Sequence, residues 1–92
     1  MAFSFLTQEI AMDLGTANTV IFRNDDIVMD APSIVAIDNN TGKCIAIGQQ
    51  AKLMHEHTNP GIKTIRPLRN GVIADFNAAE MMIKGFIKQV NN

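Results

Sequence analysis

The spacing of apolar positions changes several times along the chain, and each change marks an element. Glu9 to Leu14 reads E-I-A-M-D-L, nearly continuous in apolar residues, which predicts a short strand buried on both faces. Thr19 to Phe22 is a second run, β-branched and aromatic, closed by Asn24-Asp25-Asp26, and Ile27 to Met29 is a third. Three such strands joined by tight turns predict an antiparallel meander. Pro32 interrupts the pattern, and Ser33 to Asp38 and Cys44 to Gly48 then read as a hairpin around Asn39-Asn40-Thr41-Gly42-Lys43. Gln49 to Glu56 has room for two helical turns, ended by Thr58-Asn59-Pro60-Gly61, because proline disfavours helix at the residue before it. Ile62 to Leu68 is extended at best.

The last element is the clearest. Phe76, Ala79, Ile83, Phe86, Ile87 and Val90 recur at helical spacing, with Asn77, Glu80, Lys84 and Lys88 on the other side. Asp75 is a natural N-cap, and Glu80 with Lys84 forms an i,i+4 pair. Gly85 inside the helix costs roughly 1 kcal/mol against alanine, so it predicts a close approach or a bend. Five short strands and one long helix make an α/β inventory that stops just after a helix, where such a fold runs back into a parallel strand. That ending predicts a piece of a larger fold.

Composition narrows the function classes. With 92 residues, 47% apolar and 18% charged, the chain is the size of one small globular unit and too small for a two-domain enzyme. Eight Lys and Arg against nine Asp and Glu, spread without long runs, leave no electrostatic footprint for nucleic acid. The lone Cys44 cannot form an intramolecular disulfide and reads as a small buried hydrophobe, which suits a reducing cytoplasm. No apolar run approaches the length of a membrane-spanning helix.

Candidate chemistry centres on Asp13-Leu14-Gly15-Thr16-Ala17-Asn18-Thr19, an acid near a strand end followed by a glycine turn with hydroxyl and amide side chains. Such a turn can cradle phosphate. Gly15 lets backbone N–H groups approach closely, Thr16, Asn18 and Thr19 can add hydrogen bonds, and Asp13 can hold Mg²⁺ through water. The turn joins two strands, so it is not a P-loop, which precedes a helix. The same residues also make an ordinary β-turn, with Gly15 at positive φ and Asn18 tolerating it, and the pattern alone does not separate the two.

Three stretches do more than the turn. I-A-M-D-L-G-T-A-N-T from Ile10, A-P-S-I-V-A-I-D from Ala31, and I-R-P-L-R-N-G-V-I-A-D-F from Ile65 resemble the MreB family of bacterial rod-shape-determining actin homologues, in the family's order and across most of the chain. The resemblance implies an α/β fold of the actin-like ATPase type, with a ribonuclease-H-like core in each of two domains around an ATP cleft. It also implies polymerisation into membrane-associated filaments that guide cell-wall synthesis, with filament protomers and cell-wall elongation proteins as partners. By this resemblance Asp13 matches the Mg²⁺-associated aspartate, and Gly15, Thr16, Ala17, Asn18 and Thr19 belong to the first ATP phosphate loop. Residues 1–34 would begin core subdomain IA, 35–66 would form the small inserted subdomain IB with filament contacts, and 67–92 would return to IA. The second phosphate loop, the water-positioning acid and the adenosine pocket would follow beyond Asn92, so no catalytic residue is expected in this chain and it is not expected to hydrolyse ATP alone. In the complete sheet the strand Glu9–Leu14 would be central, and without its later parallel partner it would present an open apolar edge that favours dimerisation or strand exchange.

Other features carry weaker signals. Phe3, Phe5 and Leu6 could dip into a bilayer surface at the inner face of the cell membrane, as N-terminal segments do in this family, or could be a frayed terminus. His55 and His57 lie two apart with no acid or thiol to complete a metal site, and read as a solvated loop. Met82 reads as core packing, and Met81 as reaching solvent or a partner surface. Arg66 and Arg69 flank Pro67-Leu68 in a turn that the resemblance places away from the nucleotide phosphates, in a structural or filament-contact role. Two rival readings stand beside the main one. One is a sugar kinase or chaperone ATPase of the same superfamily; the other is a small protein-binding module without nucleotide binding.

Overall fold

The computed structural model describes residues 10–57 and 60–91, together with the backbone of residues 3–6. Strands β1 (Phe3–Leu6), β2 (Ile10–Leu14), β3 (Asn18–Arg23) and β4 (Asp26–Pro32) form an antiparallel meander in that order. The β3–β4 turn is tight because Asn24 and Asp25 both take positive φ, 51° and 69°, which suits the twist of a two-residue hairpin. The expected meander is present, with one strand more than the sequence pattern suggested.

That extra strand changes the edge argument. β1 pairs with β2 from Phe3 opposite Leu14 to Leu6 opposite Ala11, while β3 takes the other side of β2. The open edge expected on Glu9–Leu14 is therefore covered along residues 11–14; Glu9 itself lies outside the described residues. The edges of this sheet are β1 and β4. The side chains of Phe3, Phe5 and Leu6 also lie outside what is described, so their membrane reading is carried by sequence alone.

Strands β5 (Val35–Asp38) and β6 (Cys44–Ile47) make the expected hairpin, followed by helix α1 (Gln49–Glu56). Strand β7 (Ile62–Ile65) then adds to the free side of β5, giving the order β6-β5-β7. The segment read as merely extended is thus a paired strand. A two-residue ladder, β8 (Leu68–Arg69) with β9 (Val72–Ile73), follows, and helix α2 (Phe76–Val90) closes the chain. Asn70 and Gly71, with φ of 52° and 75°, turn this short hairpin.

Two cores meet at β5. Met12, Leu14, Ile21, Val35, Ile37, Leu68, Met82 and Phe86 gather between the meander, β5 and α2, whereas Ile34, Ala36, Ala46 and Ala51 pack under α1. Alternation along β5 does this: Val35 and Ile37 serve one core and Ala36 the other, and all three are buried. The small alanines on the α1 side let that short helix sit close to the sheet.

Helix α2 starts as the sequence indicates, with the Asp75 carboxylate accepting a 2.9 Å bond from the Ala78 N–H. Its buried seam differs. Ala78, Ala79, Met82 and Phe86 are the buried positions, while Phe76 is 76% exposed. The apolar arc is wide enough that spacing alone does not fix its centre, and Phe76, in the first turn, lies outside the first core. Ile83, Ile87 and Val90 flank the seam, and Met81 packs against the core instead of reaching solvent. Gly85 marks a close approach: an added Cβ would meet the Cδ1 of Ile47 on β6. Lys84 and Glu80 pair at 3.6 Å on the exposed face, worth roughly a few tenths of a kcal/mol.

Candidate functional site

The turn from Gly15 to Asn18 closes the β2–β3 hairpin, with the Gly15 N–H donating to the Asn18 carbonyl at 3.0 Å. A Cβ on Gly15 would stand 2.6 Å from that same carbonyl oxygen, a backbone atom that cannot swing aside, so only glycine fits. The Ala17 carbonyl is also engaged, accepting from the Ser33 N–H at 2.9 Å. With these carbonyls turned inward, the N–H groups of Thr16 and Ala17 donate to no acceptor among the described residues. Two adjacent free N–H groups at the tip of a turn form a concavity suited to an anion.

These groups border a cavity of about 460 Å³. Thr16, Ala17 and Asn18 line one side of it; Lys52, Arg66 and Asp30 also contribute. The Asn18 side chain is fixed by its amide, which donates to the Asp30 carboxylate at 3.0 Å and leaves one amide hydrogen for other acceptors. Thr16 is fixed from the far side: its Oγ1 accepts a 2.8 Å bond from the Gly71 N–H, so the hydroxyl proton stays available to donate.

Not every residue expected at the site faces it. Thr19 is fully buried, and its hydroxyl bonds the Ser33 hydroxyl at 2.8 Å, behind the loop instead of toward the cavity. Strand alternation places it on the face of Ile21, inside the first core. Asp13 is half-buried and alternates with the buried Met12 and Leu14, which puts it on the opposite face of β2. Asp13 is not among the residues that line the cavity, though a single carboxylate near the turn is the kind of ligand Mg²⁺ takes, since that ion keeps most of its waters. Among the described residues no three His, Cys, Asp or Glu side chains gather into a metal site. Cys44 is half-buried and packs against the first core.

Two basic residues were not expected here. Lys52 comes from α1, three positions after Gln49, which lines the same cavity. Arg66 was expected away from the phosphates, yet it lines the cavity with the loop. The cause is the pairing of β7 with β5, which brings the end of β7 beside the meander. That pairing has no local sequence signal strong enough to have announced it.

The sequence model of the MreB/Mbl protein family matches residues 7–92. The chain belongs to this family. It is 47% identical over 85 residues to the cell shape-determining protein Mbl of Bacillus subtilis, covering 91% of this chain and 26% of that protein. It is 47% identical over 91 residues to the cell shape-determining protein MreB of Haemophilus influenzae, covering 94% and 26%. The chain therefore spans about a quarter of the length of these relatives. Among solved structures, MreB5 of Spiroplasma citri bound to ADP superposes with a TM-score of 0.77 at 36% identity, covering 87% of this chain and 25% of that one. The same protein bound to AMPPNP gives 0.72 at 39% identity, covering 79% and 22%. The fold is thus the actin-like one of this MreB family, and these neighbours are nucleotide complexes.

Proposed function

We propose that this chain supplies the first phosphate-binding loop of an ATP-dependent, actin-like filament protein that governs rod shape. The observation that carries the reading is the pair of free N–H groups at Thr16 and Ala17, bordering a cavity that Lys52 and Arg66 also line. The nucleotide complexes of the MreB5 relative support it.

In this reading the N–H groups of Thr16 and Ala17 bind β- and γ-phosphate oxygens, and the Thr16 hydroxyl donates a third hydrogen bond. The remaining amide hydrogen of Asn18 is held in place by Asp30. Asp13 would hold Mg²⁺ through water, and a bound Mg²⁺ would neutralise phosphate charge. These donors are fixed before ligand arrives, so no reorganisation is needed at binding. Hydrolysis needs a residue that orients water, and we assign that role to none in this chain. Self-association into filaments, work alongside cell-wall elongation proteins, and a place at the inner face of the cell membrane belong to the same proposal, on the strength of family membership.

The test is a thermal-shift titration with ATP and Mg²⁺, and again with EDTA. Ligand at 100 times Kd stabilises by about 2.7 kcal/mol. The reading expects a shift that Asp13→Ala reduces and EDTA reverses. No shift at millimolar ATP would favour the rival reading, a protein-binding module without nucleotide.

A further inference from the structure

A second cavity, of about 570 Å³, shares Thr16 and Arg66 with the first. Its character is different. The first cavity includes the Asp30 carboxylate among its basic residues, whereas the second is lined by Arg66, Arg69 and His55 with no carboxylate at all. Its lining includes Ile34 and Leu68, both buried, while Arg66 and Arg69 stand exposed at its rim.

The two arginines are presented from a rigid bridge. Between them lie Pro67 and Leu68, both fully buried, and the Pro67 carbonyl accepts from the N–H groups of Ala74 at 2.8 Å and Asp75 at 3.2 Å. Neither guanidinium has an ion pair or hydrogen bond among the described residues. His55 and Thr64, by contrast, satisfy each other through a 2.6 Å bond between Nδ1 and Oγ1. The unmet demand of the cavity is therefore two guanidinium forks, three residues apart on a fixed segment, with no internal counter-charge. Two like charges held this way repel, and a shared anion offsets the repulsion while accepting from both forks.

We propose that this second cavity is a binding site for a tetrahedral oxyanion of the size and charge of orthophosphate, held by Arg66 and Arg69. The site goes beyond the nucleotide reading and does not require it. Its ligand is either free orthophosphate or the terminal phosphate of a bound nucleotide, since both present the same oxygens to the forks.

The experiment is a titration of the ¹⁵N-labelled chain with inorganic phosphate, followed by NMR at the arginine Nε–H resonances. Phosphate is expected to shift Arg66 and Arg69 together. Arg69→Gln should weaken phosphate binding roughly tenfold, and Arg69→Lys, which keeps charge but loses the fork, should weaken it less. Arg69 is exposed, so neither change threatens the fold. Lys84→Gln, on the exposed face of α2 and in the lining of neither cavity, should leave phosphate affinity unchanged. Wild-type affinity in Arg69→Gln, or no shift of Arg69 at tens of millimolar phosphate, would overturn the proposal. Repeating the titration with Mg²⁺·ATP present separates the sources: loss of the phosphate response assigns the oxyanion to the nucleotide, and an additive response assigns it to free phosphate. Arg69-dependent phosphate binding without any ATP shift would defeat the nucleotide reading and leave this one intact.

Discussion

The Oγ1 of Thr16 accepts a 2.8 Å hydrogen bond from the N–H of Gly71, tying the tip of the β2–β3 turn to a turn 55 residues later. The Asn70-Gly71 turn holds positive φ at both positions, so its N–H direction is set by the turn and not by the bond. Removing the hydroxyl leaves that donor without a partner. Thr16→Val should lower stability by about 1 kcal/mol, or about 4 to 8 °C in Tm for a domain of this size, and Thr16→Ser should restore most of it. Thermal melts of the three proteins check this.

The buried hydroxyl pair of Thr19 and Ser33 makes a different prediction, because here both partners lie out of solvent. Thr19→Val strands the Ser33 hydroxyl and should cost about 1 to 3 kcal/mol. Thr19→Val with Ser33→Ala removes both polar groups and should recover part of that loss. Urea denaturation of the two single variants and the double variant gives the coupling. ATP affinity should not change with Thr19→Val, since its side chain faces away from the cavity.

Gly15 should be intolerant of any side chain. The Cβ of Gly15→Ala would collide with the Asn18 carbonyl and break the bond that closes the turn. The expected result is loss of the ATP-dependent thermal shift, with secondary structure by circular dichroism retained because the flanking strands keep their other bonds.

Arg23 fastens the end of the last helix. Its Nη2 donates to the Val90 carbonyl at 3.1 Å and to Asn91 Oδ1 at 2.9 Å, satisfying a carbonyl that the helix itself leaves open. Arg23→Met keeps much of the apolar stem and loses the bonds. It should cost about 1 kcal/mol and speed amide exchange at the last turn of α2 while leaving the strands protected. Hydrogen exchange by NMR distinguishes this fraying from global unfolding.

Features with local causes were legible in the sequence. Asp75 caps α2 because a cap needs only its own helix, and Asn24-Asp25 turns a hairpin because those residues tolerate positive φ. The glycine turn after Asp13 was readable too, but not for the expected reason: neither Gly15 nor Asn18 takes positive φ, and glycine is required because a Cβ would meet the Asn18 carbonyl. Thr19 was misplaced although strand alternation, once Ile21 faces inward, carries Thr19 with it. What stayed hidden depended on distant pairing. β8 and β9 are two residues each, too short to show a period. β1 has only four residues, Phe3 to Leu6, too few for their apolar character to separate a strand from an apolar terminus. Lys52 and Arg66 reach the cavity only after α1 packs on the second sheet and β7 pairs with β5, and neither event is encoded near those residues.

Ser33 sits where the chain leaves the meander for the second sheet, and three of its neighbours fix that crossing: its N–H is bound to the Ala17 carbonyl, its hydroxyl to Thr19, and Ile34 beyond it is buried under α1. The crossing acts as a fulcrum bolted to the loop at Ala17. A shift of that loop large enough to stretch the 2.9 Å Ala17–Ser33 bond out of hydrogen-bonding range must either break it or carry the fulcrum with it. The outer sheet, extending away from the fulcrum through β5, β6 and β7, is then a lever arm, and the turn at Asn39 to Lys43 at its far end would travel furthest.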